Sequence, residues 1–298
     1  MKKRAIWCAL TVMFLWALVA AQTQEQYLDV FVAQVKPDKR ADFDAISKKI
    51  AVINRQNKGD EWLAMETDYG PLNRVTIISI RQGYADIAKG SDAFMGALQK
   101  SLGKPGADKL FADFDQTIAS SWSELRRRRW DLSSNPPADA AAMAKMLGET
   151  RYLRTTVVHV RPGRGPELEA LLKEVKAARE KNSPDVITLV SQGEAGQQGS
   201  VFYITTLEKS MAGFDSIVSL HKILGEDGYA HYLKVASEIV ENTESVINHF
   251  LPEISNPPAD VLAAAPDYWN PKEIVAKTTS AKKVVVNAAQ TSTMEEKK

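Results

Sequence analysis

The chain has 298 residues, 38 basic against 37 acidic, for a formal net charge of +1. With 44% apolar residues, 25% charged residues and only 16 Gly and 13 Pro, it is neither a disordered nor a collagen-like composition, and one large or two ordinary domains with a buried core are expected. The near-balance of charge supplies no global field toward nucleic acid or an anionic membrane, so neither is expected as a partner.

Lys2, Lys3 and Arg4 precede an apolar run at 5–20, followed by Ala21 and the polar stretch QTQEQ. This order of charged, apolar and small residues is that of a secretory signal, predicted over residues 1–21 with a mature start near Gln22 and a periplasmic or secreted destination. An uncleaved anchor is the alternative, but the run is short of the ~20 residues that span a bilayer. Beyond residue 21 the chain carries 35 basic and 37 acidic residues, or −2. The single cysteine, Cys8, lies inside the apolar run, so the mature chain is expected to lack disulfides, thiolate metal sites and cysteine nucleophiles.

The sequence SNPPAD occurs at 134–139 and again at 255–260, and internal repeats of this kind decide a fold. Around it the halves align. Tyr27-Leu28 matches Tyr152-Leu153 and Val35-Lys36-Pro37 matches Val160-Arg161-Pro162, at an offset of 125 that falls to 121 at SNPPAD. Phe43, Ile46, Ile50 and Ile53 match Leu168, Leu171, Val175 and Ala178, with the 3-4-3 spacing of an amphipathic helix. Each copy predicts a strand (27–35, 152–160), a helix opened by Pro (39–57, 166–182), a hairpin (61–67 with 74–81, 186–192 with 200–207), two broken helical stretches (85–99 and 107–120, 211–224 and 229–241) and a last strand (122–132, 244–254). The first repeat is thus set at 22–139, a linker at 140–150, the second repeat at 151–260, a C-terminal arm at 261–276 and a disordered tail at 277–298.

The order βαββαβ, twice, is the ferredoxin-like plan. One such sheet has helices on a single face and leaves the other needing cover, which a second copy supplies. The predicted class is therefore α+β, two ferredoxin-like βαββαβ repeats in one chain forming an intramolecular dimeric α+β barrel. Over roughly Tyr27 to Pro258 this resembles the dimeric α+β barrel superfamily, which includes antibiotic-biosynthesis monooxygenases, NIPSNAP-like proteins and stress-responsive barrels. The resemblance rests on element order and duplication, and implies that small molecules bind on the sheet face turned from the helices.

Alternation on the first strands assigns Leu28, Val30 and Val32 to the helices and Tyr27, Asp29, Phe31 and Ala33 to the interior, with Tyr152, Arg154, Thr156 and Val158 as counterparts. Asp29 and Arg154 then share one position with opposite charge, facing a ligand or a wet barrel mouth. Arg126 to Arg129 stand on the last strand between Trp122 and Trp130, two pointing in and two out. Arg126 or Arg128 beside Trp130 suits a carboxylate, a phosphate or a planar anion; a basic edge strand or a surface patch is the structural alternative. The second copy reads Ile247-Asn248-His249-Phe250 at this point. His159, His221, His231 and His249 all lie in the second copy without metal-site spacing. The resemblance implies haem as one cofactor, although Gly225-Glu226-Asp227-Gly228 is a residue short of the GxxDG of dye-decolourising peroxidases. No GxSxG, P-loop or GxGxxG is present. The first expectation is binding of a small anionic or aromatic molecule, without a required cofactor, by Asp29, Arg126, Arg128, Trp130, Arg154 and His249. The alternatives are a monooxygenase-like or haem-associated enzyme using His249 or His159, and a structural protein with a filled barrel; oligomerisation stays open.

Overall fold

The computed structural model describes residues 25–270. The expected signal at 1–21 with Cys8, the end of the arm and the tail at 277–298 lie outside the described residues.

In chain order the first repeat is β1 (Tyr27–Val35), α1 (Arg40–Asn57), β2 (Leu63–Tyr69), β3 (Arg74–Arg81), α2 (Tyr84–Asp115) and β4 (Ile118–Arg128). A helix α3 (Ala140–Glu149) occupies the stretch expected as a linker, its first turn capped by the Asp139 carboxylate accepting from the Ala142 N–H. The second repeat is β5 (Tyr152–Val160), α4 (Gly165–Asn182), β6 (Thr188–Ala195), β7 (Ser200–Glu208), α5 (Leu220–Ile239) and β8 (Val240–Phe250). Short helices α6 (Ala259–Ala264) and α7 (Pro266–Trp269) follow. The helical breaks expected near Pro105 and Gly225 are kinks within α2 and α5, at Gly103 and Gly225. Both last strands begin about four residues earlier than the sequence suggested.

The eight strands close into an antiparallel barrel in the order β1-β3-β2-β8-β5-β7-β6-β4. Each repeat contributes a 4-1-3-2 sheet, and β2 against β8 and β4 against β6 join the two. The α+β barrel of two ferredoxin-like repeats in one chain is therefore the architecture. α1 and α2 cover the first half, where Phe43, Leu98 and Val75 are fully buried. α4 and α5 cover the second over Leu168, Leu171 and Phe202. At the end where β1 and β5 start, α3, α6 and α7 pack over Leu63, Leu153 and Phe250 through Leu147, Val261 and Trp269, closing the barrel there. The opposite end is framed by the β2–β3 and β6–β7 turns.

The duplicated motif clasps the repeats. Ser255 Oγ accepts from the Ala64 N–H at 2.9 Å and donates to the Leu251 carbonyl at 2.8 Å, and Asn256 pairs with Trp62. In the first copy Ser133, not Ser134, makes the equivalent bonds, to Val190 N–H and Arg129 carbonyl, and Ser134 pairs with Thr188. The structural offset is thus 122, and Asn135, at φ 49°, takes up the extra residue before the proline pair. Each copy's end therefore lies along the other copy's second strand. Ser255→Ala leaves a buried N–H unpaired and is expected to cost about 1–3 kcal/mol, read as a lowered denaturant midpoint with unchanged slope, and Ser133→Ala should match it. An unmoved midpoint in both variants would remove the clasp from the account.

Candidate functional site

Both faces of β1 carry buried apolar side chains, and the structure reverses the facing expected for β1 and β5. Leu28, Val30 and Val32 cluster with Ile78 and Ile80 inside the barrel. Phe31, Ala33 and Val35 instead pack under the helices with Phe43 and Phe114. In the second repeat Leu153, Thr155, Val157 and His159 face inward, so Arg154 and Tyr152 face out. When each face has its own cover, alternation marks two faces without saying which is which.

The interior holds a cavity of about 320 Å³, at the lower end of the range for small-molecule sites. Its wall mixes aliphatic side chains such as Leu28, Val32 and Ile78 with polar ones such as Thr67, Thr155, Ser191 and Asn248, and its charges come from five residues, Arg74, Glu124, Arg126, Arg128 and Glu244. Glu124 is buried; it accepts from Arg126 Nη2 and, at 2.6 Å, from the Tyr203 hydroxyl. The Arg126 guanidinium lies 3.6 Å over the Tyr203 ring. Burial pushes the Tyr203 phenol well above the ordinary tyrosine value; Arg126 pulls the other way and Glu124 adds to the rise, so the phenol stays protonated and donates. Arg74 pairs with Glu244 at 3.7 Å and lies 5.3 Å from the Trp122 ring, at the hairpin end.

Arg128 is left over. Burial pulls its guanidinium down to about 10, with the Arg126 charge adding to the effect. No carboxylate among the described residues pairs with it, its Nε is buried without a partner, and its guanidinium lies over the Trp130 ring at 5.6 Å. Arg128 is half-buried and lines the cavity. Three guanidiniums against two carboxylates leave one positive charge in a low-dielectric space.

The other expected site residues are elsewhere. Asp29 is outside the barrel, 3.4 Å from Arg81, whose guanidinium is held by Asp60 at 2.6 Å. Gly90 makes this fit, since a Cβ there would stand 2.3 Å from Arg81 Nη1. The second repeat reverses the signs. Arg154 is outside, over the Phe214 ring, and it opposes the rise that burial imposes on the Glu208 carboxyl. Trp130 sits past the closed end in a groove with Pro136 and Met143. His249 is on the outer face, its Nδ1 2.8 Å from Asp68. It stands level with Arg127, because Tyr152 pairs with His249 as Tyr27 pairs with Arg127, one residue from the alignment expected through SNPPAD. Arg127 and Arg129 also point out, to Glu194 and to Glu169 with Asp131. Arg126 and Arg128 are thus the inward pair. Sequence reasoning missed Glu124, Arg74 and Gln197. Glu124 was findable, two residues before Arg126 on one strand and so on the same face.

A second space of about 500 Å³ lies between the sheet and the helices of the second repeat, among Leu168, Leu171, Val190, Tyr232 and Ala236. The equivalent space in the first repeat is filled by Phe31, Phe43, Phe94, Phe111 and Phe114. Haem does not fit the donors present. No histidine lines this space, and burial holds the Tyr232 phenol above its ordinary value, against the phenolate a tyrosine ligand supplies. His221 and His231 are exposed beside Glu226 and Glu174. His159 lines the smaller barrel cavity, whose wall also carries the Glu124–Arg126–Tyr203 group. Among the described residues no cluster of three or more His, Cys, Asp or Glu could hold a metal ion, and no helix is long and apolar enough to cross a membrane.

No family model matches the chain, and no curated protein does. Among solved structures it is similar to an anthrone oxidase-like protein, with 11% identity and a TM-score of 0.48 over 78% of this chain and 93% of that one. A putative monooxygenase from Fusobacterium nucleatum is 14% identical with a TM-score of 0.47, over 77% of this chain and 94% of the other. Chlorite dismutase from Candidatus Nitrospira defluvii is 10% identical with a TM-score of 0.42, over 76% and 92%.

Proposed function

We propose that the barrel interior binds one small organic monoanion, with Arg128 as the charge that receives it. The observation that carries this is the half-buried guanidinium of Arg128, which lines the cavity without a carboxylate partner while the other charges there are paired. A charge partly withdrawn from water without a partner is destabilising, and an anion that reaches it offsets that cost while the apolar part of the wall accepts its carbon body. Arg126 orients the site, its own charge being taken by Glu124. Residues 2–21 support placing this binding in the periplasm or outside the cell.

Equilibrium dialysis of the full chain against benzoate in chloride-free buffer tests the reading. One saturable equivalent, displaced by other monocarboxylates and not by the neutral isostere benzamide, is the expected result. Equal binding of benzamide would overturn it. The second reading is a monooxygenase-like enzyme holding a flat apolar substrate in the 500 Å³ space of the second repeat, where the half-buried Arg179 donates to Thr188 at 3.0 Å. Oxygen uptake with a hydroxylated aromatic, abolished by filling that space with Ala236→Phe, would favour it.

A further inference from the structure

Within the same cavity a second group is unsatisfied. Both side-chain amide atoms of Gln197, Nε2 and Oε1, are buried and without a partner, and Gln197 lines the cavity. The hairpin between β6 and β7 carries it there. Gly196 at φ 87° lies so close to β4 that a Cβ would stand 2.3 Å from the Ser123 carbonyl oxygen, and a Cβ on Gly193 would stand 2.6 Å from Gln197 Oε1. Both glycines are therefore needed for the turn to lean in and for the amide to fill the inward position that Gly193 leaves empty. Gly193 pairs with Arg126 and Ser191 with Arg128, so the amide sits about one inward step nearer the hairpin end than Arg128. Two residues along a strand span about 7 Å, the length of a six-membered ring with a substituent at each end.

The cavity lining includes the apolar Leu28, Val32, Ile78, Leu153 and Val157, and one side is flat because the Arg126 guanidinium lies over the Tyr203 ring. An amide offers one acceptor and two donors, and it asks for a group that both gives and takes a hydrogen bond. A second anionic group has no free cation to meet, since Arg126 is engaged by Glu124 and Arg74 by Glu244. Building on the anion site proposed above, we infer that the ligand class is a flat monocarboxylic acid carrying a neutral hydroxyl or amide at its far end, the acid on Arg128 and the neutral group on Gln197.

Calorimetric titration of the full chain with benzoate, 4-hydroxybenzoate and terephthalate tests this, in the native protein, Gln197→Leu and Arg128→Met. 4-Hydroxybenzoate is expected to bind about tenfold more tightly than benzoate, as one hydrogen bond to an otherwise unpaired buried group provides, and terephthalate more weakly than 4-hydroxybenzoate. Gln197→Leu should erase the tenfold difference, and a far-ultraviolet circular dichroism spectrum matching that of the native protein shows that the variant is folded. Equal affinities for benzoate and 4-hydroxybenzoate, or a preference that survives in Gln197→Leu, would overturn the ligand class and leave the anion site standing, provided both acids fail to bind Arg128→Met. Absence of binding by all three acids to the native chain would overturn both.

Discussion

Arg128→Met is expected to raise the melting temperature of the ligand-free protein by about 4–8 °C and to remove anion binding altogether. Methionine has a similar length and no charge, so the substitution deletes an uncompensated guanidinium from the barrel while keeping its packing. Replacing buried charge by apolar side chains gains about 1–4 kcal/mol, and about 2 kcal/mol in a domain of this size corresponds to that shift. The pH dependence has a definite sign. The folded-state value of Arg128 is lowered, to about 10, so the unfolded chain holds this proton more tightly. The penalty is complete below about pH 10 and lifts as pH rises above it toward the ordinary arginine value. Native protein should narrow its stability deficit against Arg128→Met only at the alkaline end. A saturating monocarboxylate should close the same gap at neutral pH, by about 2.7 kcal/mol at a hundred times its Kd. Differential scanning calorimetry of the two proteins with and without benzoate checks all three statements, and a lower melting temperature for Arg128→Met would contradict the assignment of an unpaired charge.

Glu124→Gln should act in the opposite direction on stability and in the same cavity. Glutamine can still accept from the Tyr203 hydroxyl, but it leaves Arg126 without its counter-charge, and breaking one side of a buried pair costs about 3–5 kcal/mol. The cavity then carries two free guanidiniums, so benzoate affinity should rise about tenfold or more, even at the high effective dielectric constants that suit such sites. Tyr203→Phe is the control. It deletes one hydrogen bond, at about 1–2 kcal/mol, and leaves the charge count and therefore the anion affinity nearly unchanged. Denaturant unfolding gives the stabilities and titration gives the affinities. Weaker anion binding in Glu124→Gln would contradict the charge balance drawn for the cavity.

The duplication, the strand order and the separation of Arg126 and Arg128 from Arg127 and Arg129 were legible in the sequence, because each follows from a period or from an exact repeat. The facing of β1 and β5 was not, because the strands are covered on both sides and Val30 and Ala33 are equally buried. The register of β8 slipped by one residue because the identical SNPPAD strings do not occupy identical positions: Ser133 and Ser255 do the same work, and Asn135 takes up the difference. That slip moved His249 from an expected ligand group to an outer-face partner of Asp68. Asp29 and Arg154 were correctly matched to each other, but the residues they sit against, Arg81 and Glu208, come from strands some fifty residues away. Gln197 carried no signal, since it reaches the cavity through a turn whose course depends on two glycines meeting β4.

The most direct measurement is a crystal of the full chain grown with 4-bromobenzoate, with the bromine located by its anomalous signal. The expected result is one bromine inside the barrel, between Arg126 and the hairpin end, with the carboxylate on Arg128. Bromine in the helix–sheet space of the second repeat, or a barrel interior without it at saturating ligand, would contradict the account.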